Sequence, residues 1–462
     1  MSISLAGSRS EDLASRFPAG FAFGAAMASY QIEGAIAVDG RTPSIWDTFA
    51  ATPGRVRGGD TGEVAADHYR RYADDVALMG TMGLDAYRMS LAWPRILPHG
   101  GSTPNPAGLA FYDRLVDALL EAGVTPWVTL YHWDLPQELE DAGGWPVRDT
   151  AARFAEFAHV AGQALGDRVA HWITLNEPWC SAYLGYGSGI HAPGRTEPGA
   201  AVAAGHHLLL GHGMAVQALR AAAPRAEVGI TLNLYPVTAA EDTPAAQDAA
   251  RRIDGLHNRI FLDPLFRGRY PGDVLMDLGG VTDGAWLKAG DLEVISTPID
   301  FLGVNYYTRH TVSASAYPGT NSTEFRAQGR ERTANGWEVD PGGLTEVLRR
   351  VHDDYTDLPI FITENGSAWE DHVTEEGHVH DDGRTRYLAD HLEACADAIA
   401  AGVPLRGYFV WSFLDNFEWA EGYRYRFGLV RVDYDTLART VKDSGTWYAE
   451  FIRAHRRAIL GP

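Results

Sequence analysis

The sequence predicts a single-domain (β/α)8 barrel of the TIM type, in the α/β class. Three observations carry this. Strand-like and helix-like segments alternate eight times along the chain. The strand segments are near-continuous apolar runs, as parallel strands covered on both faces require. Polar residues suited to chemistry collect at the C-terminal ends of those runs, where such barrels place their sites. The 462 residues are 45% apolar, enough for a large core. Length alone suggests about three domains, but barrels of this kind exceed about 400 residues as one. No Ser/Pro-rich linker divides the chain, no short internal repeat is visible, and no Gly-rich nucleotide loop follows a strand. The domain is therefore drawn over residues 1–462, with residues 1–16 a short N-terminal extension.

The elements follow in order. The first strand lies in residues 21–29 and ends at Tyr30-Gln31-Ile32-Glu33-Gly34. A Gly/Arg-rich loop over 53–62 precedes a helix with Tyr69, Tyr72, Val76 and Met79 on one face. The second strand, 86–93, contains Arg88. A helix through Phe111, Leu115 and Leu119 leads to the third strand, 125–133, which closes on His132-Trp133. A helix over 150–165 precedes the fourth strand, His171-Trp172-Ile173-Thr174-Leu175-Asn176-Glu177-Pro178. A helix over 200–222 leads to the fifth strand, 228–234, followed by a helical insert. The sixth strand is 301–307, and the polar stretch 309–342 reads as one long loop. A helix over 344–355 leads to the seventh strand, Pro359-Ile360-Phe361-Ile362-Thr363-Glu364-Asn365-Gly366. A helix over 385–401 leads to the eighth, 405–413, and a last helix covers 445–455.

The formal charge is 39 − 60 = −21. Nucleic acids and anionic membranes need a basic face, so both are disfavoured as partners, as is a strongly anionic substrate. Two cysteines, Cys180 and Cys395, make no disulfide framework; both read as reduced, buried thiols. Residues 1–17 carry Glu11 and Asp12 without an apolar run, unlike a signal peptide, and no stretch approaches a membrane span of about 18 apolar residues. A cytoplasmic enzyme is the expectation, with its oligomeric state open, a homo-oligomer included.

Two apolar strands that each end on a glutamate are the informative feature. A charge at the tip of a buried strand is costly unless paired or used. Two such strands far apart in sequence point to a carboxylate pair at one site, which suits glycoside hydrolysis: one carboxyl protonates the leaving oxygen while the other, ionised, attacks or assists water. Their environments should push their pKa values apart. Arg88, read as lying at or near the end of the second strand, is placed to keep one of them ionised. Glu177 precedes Pro178, which biases its backbone towards an extended conformation. A neutral sugar needs amides, carboxylates and imidazoles for its hydroxyls and an aromatic plate for its apolar face. Gln31, His132, Asn176, Asn305 and Glu418 supply the first, and Trp133, Trp411 and Trp419 the second. No metal site or cofactor is expected. His206, His207 and His212 share one helix and read as packing or solvated residues. His372, His378 and His380 lack a cysteine partner and helical spacing, so they are a weak zinc signal. The acidic segment 370–382 reads as a solvated loop, and Cys180 has no histidine at an evident spacing to make it a nucleophile.

These blocks name a family. The chain resembles glycoside hydrolase family 1, the β-glucosidases, over nearly its whole length. The matching stretches are Phe17-Pro18-Ala19-Gly20-Phe21, Tyr30-Gln31-Ile32-Glu33-Gly34, Tyr87-Arg88-Met89-Ser90, His132-Trp133-Asp134-Leu135-Pro136, Thr174-Leu175-Asn176-Glu177-Pro178, Gly303-Val304-Asn305-Tyr306-Tyr307-Thr308, Ile362-Thr363-Glu364-Asn365-Gly366 and Trp411-Ser412-Phe413-Leu414-Asp415-Asn416-Phe417-Glu418-Trp419. The resemblance implies a (β/α)8 barrel and a retaining mechanism, with Glu177 as acid/base and Glu364 as nucleophile. It implies that Asn176 binds the sugar 2-hydroxyl, that Gln31, His132, Glu418 and Trp419 hold other hydroxyls, and that Trp411 lies under the ring. It implies that Arg88 and Tyr307 position and ionise Glu364, and that Trp337 forms a platform at the entrance.

Within the family, members acting on 6-phosphorylated sugars carry Ser where this chain has Glu418, with a Lys nearby. The loop Ala420-Glu421-Gly422-Tyr423-Arg424 has no Lys. Plant-type thioglucosidases carry Gln where this chain has Glu177. One departure is Met27, where a small hydroxyl residue is common; it bears on packing behind Gln31. The expected activity is metal-free, exo-acting hydrolysis of terminal β-D-glucosyl residues from β-glucosides and cello-oligosaccharides. Dominant β-galactosidase, β-fucosidase or transglycosylase activity is the alternative, and a non-catalytic sugar-binding protein the remoter one.

Overall fold

The computed structural model describes residues 10–316 and 321–460. The expectation of an extension over residues 1–16 falls partly outside this span. Its described end is helical from Ser10 to Ser15, and Leu13 and Ala14 are buried in the core.

Eight parallel strands close into a barrel: β1 (Ala22–Ala26), β2 (Ala86–Ser90), β3 (Thr125–Tyr131), β4 (His171–Asn176), β5 (Glu227–Asn233), β7 (Phe301–Asn305), β10 (Ile360–Asn365) and β13 (Leu405–Trp411). Their order round the barrel is β1-β13-β10-β7-β5-β4-β3-β2. All eight predicted strands are present, each ending one to three residues before its predicted end. Each apolar run is buried along most of its length because helices cover the outer face and side chains fill the inner one. The covering helices include His68–Met82, Pro106–Glu121, Asp149–Leu165, Pro198–Ala222, Pro341–Asp354, Asp382–Ala400 and Asp443–Leu460.

The bottom of the barrel is sealed by aromatic rings. Trp127 of β3 stacks on His171 at 4.0 Å between centroids and meets Phe301, Phe361 and Phe409 at 4.6–5.2 Å. The chemistry is therefore confined to the opposite, C-terminal mouth. There, the strands that carry the two glutamates lose regular pairing. Register shifts fall between Ile173 and Asn176 against β5, and between Ile362 and Glu364 against β7. Such irregularities re-aim side chains at a barrel rim. Gly366 follows at once, and a Cβ there would lie 1.7 Å from the Trp411 carbonyl oxygen, so only glycine permits this approach.

Three parts differ from the sequence reading. The stretch 309–342 is not one loop: β8 (His310–Ala314) pairs in parallel with β6 (Val237–Ala239) and antiparallel with β9 (Thr323–Phe325). These strands are three to five residues long and polar, so no period marked them. The acidic segment 370–382 is not simply solvated. It forms the hairpin β11 (His372–Val373) and β12 (Val379–His380), and it sends Asp371 and Asp381 inward. Asp371 lies 2.7 Å from Lys442 Nζ, and Lys442 also reaches Asp415 at 2.7 Å. Arg426 bonds the other oxygen of Asp415, while β14 (Val430–Val432) and β15 (Arg439–Val441) complete this region. Third, Arg88 lies in the middle of β2, not at its end; its length carries the guanidinium to the mouth. His206, His207 and His212 are buried packing residues: His206 bonds Tyr270 and Asp291, His207 the Trp145 carbonyl, and His212 the Thr174 hydroxyl. Both cysteines are free and buried.

Candidate active site

A cavity of 620 Å³ opens at the C-terminal mouth, and Glu177 and Glu364 both line it. Glu364 is the last residue but one of β10 and is buried. Arg88 Nη1 donates to its Oε1 at 2.6 Å, and the Tyr307 hydroxyl donates to its Oε2 at 2.7 Å. Glu177 follows β4. It is gripped by neutral donors: Asn305 Nδ2 bonds its Oε1 at 2.7 Å and Cys180 Sγ its Oε2 at 3.2 Å. A relay joins the two. Arg88 Nη2 donates to Asn176 Oδ1 at 2.6 Å, and Asn305 Nδ2 donates to that same oxygen at 3.0 Å.

These surroundings separate the two acids. Burial, and then the nearby charge of Glu364, push the Glu177 carboxyl up to about 8. Burial also raises Glu364, but Arg88, Tyr307 and Asn305 oppose it. Of two carboxyls that share one site, the one paired with a guanidinium ionises first. The pair thus holds one proton near neutrality, and that proton sits on Glu177.

The extended backbone expected of Glu177 is not found; its φ is +49°. The chain passes straight from β4 into a helical turn whose first amides, Cys180 N and Ser181 N, bond the Glu177 carbonyl. A left-handed residue makes that reversal and leaves the side chain facing the mouth. Trp133 (φ +80°) and Trp419 (φ +49°) share this conformation. Non-glycine residues pay for it with strain, which collects at functional sites.

The other predicted residues gather here. His132 is buried beside Asn176, whose Nδ2 lies 3.0 Å from its Nε2. Burial, then the charge of Arg88, hold its pKa well below the ordinary value, so Nε2 accepts and the ring is neutral. Trp133 Nε1 donates to the Asn176 carbonyl at 2.9 Å. Gln31 Nε2 donates to Asn416 Oδ1 and the Phe417 carbonyl. Its Oε1, and Oε2 of Glu418, are buried without a hydrogen-bond partner among the described residues. Glu418 lines the cavity, and a buried polar atom without a partner there suits a ligand hydroxyl. Burial, then Glu364 and Glu177, raise Glu418 to about 8. Trp411 lies under the cavity against His132, with centroids 5.7 Å apart at 23°. Trp419 packs on Trp133 at 4.5 Å. Trp337 is 37% exposed at the rim, beside Tyr307 at 5.1 Å. Met27 is buried beneath this region.

Sequence reasoning missed several residues. Cys180 is bonded to Glu177; its position three residues on, one helical turn, was the available signal. Thr231 and Thr363 form a hydroxyl chain that ends on Asn305 Oδ1. Trp179, Tyr235, His257 and His310 make the outer wall of the cavity. His257 packs at a tilt against Trp179, with ring centroids 4.3 Å apart, and against Tyr235 at 3.8 Å. Nothing in their spacing marked them, because they come from four separate segments.

Comparison with known proteins agrees with this geometry. Residues 13–457 match the family model described as glycosyl hydrolase family 1. A thermostable beta-glucosidase B from Thermobispora bispora is 50% identical over 447 residues, covering 95% of this chain and 90% of the relative. A bifunctional beta-D-glucosidase/beta-D-fucosidase from Bifidobacterium breve is 47% identical, covering 95% and 98%. Among solved structures, the psychrophilic beta-glucosidase BglU from Micrococcus antarcticus superposes with a TM-score of 0.93 at 50% identity, covering 96% of this chain and 99% of that one. A Thermotoga maritima beta-glucosidase in complex with deoxynojirimycin gives 0.92 at 45% identity, covering 95% and 99%. The match runs through every strand that carries a site residue, and the chain belongs to glycosyl hydrolase family 1.

Proposed function

We propose that the protein is a retaining β-glucosidase that releases terminal β-D-glucosyl residues from β-glucosides and cello-oligosaccharides. One observation carries this: two buried carboxyls line one cavity, one paired with a guanidinium and the other with neutral donors only. Glu364, ionised, attacks the anomeric carbon. Glu177, protonated, gives its hydrogen to the glycosidic oxygen as the C–O bond breaks. A covalent glucosyl–Glu364 ester results. Glu177, now a carboxylate, takes a proton from water, whose oxygen displaces Glu364 from the same face the aglycone left. Configuration is retained because there are two inversions.

Arg88 and Tyr307 hold Glu364 ionised and aimed. Asn176, fixed by Arg88 and Asn305, meets the 2-hydroxyl. Gln31, His132, Glu418 and Trp419 receive the other hydroxyls, with Trp133 bracing Asn176, Trp411 under the ring, and Trp337 stacking on the aglycone at the rim. The residues named span the whole barrel, so the chain acts as one catalytic unit. Names of relatives support the substrate class: one from Thermotoga neapolitana is a 1,4-beta-D-glucan glucohydrolase. The bifunctional relative favours β-D-fucosides as a second substrate class. No helix among the described residues is long and apolar enough to cross a membrane.

Proton NMR of an aryl β-glucoside during hydrolysis tests the stereochemistry. β-Glucose appears first and mutarotates later; α-glucose as the first product contradicts the proposal.

A further inference from the structure

The proton inventory of the site can be read outward from Arg88, which can only donate. Its Nη2 therefore meets the oxygen of the Asn176 amide. Asn305 approaches that same oxygen, so it presents Nδ2, and the same Nδ2 bonds Glu177 Oε1. The Thr363 hydroxyl on Asn305 Oδ1 fits this orientation. Oε1 of Glu177 is thus an acceptor in both protonation states. A protonated Glu177 carries its hydrogen on Oε2.

Among the described side chains, the one hydrogen-bonded to Oε2 is Cys180, with Sγ 3.2 Å away. Asn233 Nδ2 donates to that sulfur from the other side at 3.6 Å. The sulfur's acceptor side is occupied, and its own hydrogen is directed at Oε2. The thiol is not a nucleophile in waiting: burial, then the charge of Glu177, hold it in its protonated form. An S–H donor bonds an ionised oxygen well and a protonated one poorly.

Resting on Glu177 as acid/base, we infer that Cys180 is a positioning residue that donates its S–H to Oε2, favours the ionised form of Glu177, and sets the pH at which the general acid is lost. Other groups act on the same carboxyl. Glu364 from β10 and Glu418 from the β13 loop oppose its ionisation, and Arg88 from β2 favours it. Tyr307, after β7, is raised by burial and by Glu364 and stays neutral, as does Tyr235 after β5. His257, behind Asn233, is kept neutral by burial. None of these bonds Oε2, so removing the thiol hydrogen is a separable change.

The test is the pH profile of kcat/KM for an aryl glucoside in wild type, Cys180→Ala, Cys180→Val, Cys180→Ser and Glu177→Gln. The basic limb is expected to move up by about 0.5–1 pH unit in the alanine and valine variants, the size of one weak hydrogen bond to a charge. The serine variant, a stronger donor, returns it to the wild-type position or below. Valine is close to cysteine in volume, so it reads the same quantity if the alanine variant does not fold. A basic limb within about 0.2 unit of wild type in every Cys180 variant overturns the inference, as does a serine variant that shifts with alanine. Glu177→Gln separates this from the acid/base assignment. If its basic limb persists, that assignment fails; if the limb is lost there yet unmoved by the Cys180 variants, only the role of Cys180 fails.

Discussion

Arg88 Nη1 lies 2.6 Å from Glu364 Oε1, and both side chains are at most 5% exposed. This ion pair distinguishes the two glutamates, because among the described residues no cation is bonded to Glu177, whose partners are Asn305 and Cys180. Removing one partner of a buried pair strands the other. Arg88→Met is expected to lower unfolding stability by about 3–5 kcal/mol in urea titrations and to move the acid limb of the kcat/KM profile upward, because Glu364 loses the charge that keeps it ionised. In a Glu364→Gln background the same substitution costs much less. Equal costs in the two backgrounds contradict the pairing.

The raised carboxyl of Glu177 also makes a statement about stability. Its folded value, about 8, lies above the unfolded value of about 4.3. Between these, the folded state binds the proton that the unfolded state has released. Its contribution is therefore fully present below about pH 4.3 and is lost as pH rises towards 8. Glu177→Gln removes the liability. The variant is expected to gain on the order of 1–3 kcal/mol relative to wild type between pH 4.5 and pH 8, while kcat falls by about 10²–10⁴ for substrates with poor leaving groups. Tm measured against pH for both proteins checks the sign; a gap that narrows towards pH 8 refutes it.

Trp337 stands at the rim, where the proposed function places it against the aglycone and not the glucose ring. Trp337→Ala is expected to raise KM for cellobiose and aryl glucosides about two- to twelve-fold, the loss of a stacking contact worth about 0.5–1.5 kcal/mol. kcat should change far less. A fall in kcat alone would place the ring elsewhere in the reaction.

Lys442 joins Asp371 and Asp415, and Asp415 lies in the segment that carries Glu418 and Trp419. Lys442→Met leaves two buried carboxylates short of a cation. We expect a stability loss of about 3–5 kcal/mol and a higher KM with a smaller change in kcat, as the glucose-binding segment loosens. Unchanged KM in a folded variant would confine Lys442 to stability.

Much of this was legible in the chain. Glu364 stood out because β10 is apolar up to a charge, and the eight strands were legible because buried parallel strands are apolar throughout. What was not legible depends on contacts between segments far apart. The φ of Glu177 follows from a helical turn that starts at Pro178, and this overrides the local preference of a residue before proline. Asp371 reads as one more charge in an acidic stretch until Lys442 and Arg384 are folded against it. Cys180 reads as an inert thiol until the turn brings it onto Glu177. Short strands such as β8 and β9 have too few residues for a period to show.

The central claim is that Glu364 carries the sugar covalently. A 2-deoxy-2-fluoro glucoside with a good leaving group slows both steps but departure of the aglycone less, so the ester accumulates. Peptide mass spectrometry of the treated protein should find one fluoroglucosyl group per chain, on Glu364. A label on any other residue, or turnover through inversion with no covalent adduct, would contradict the account.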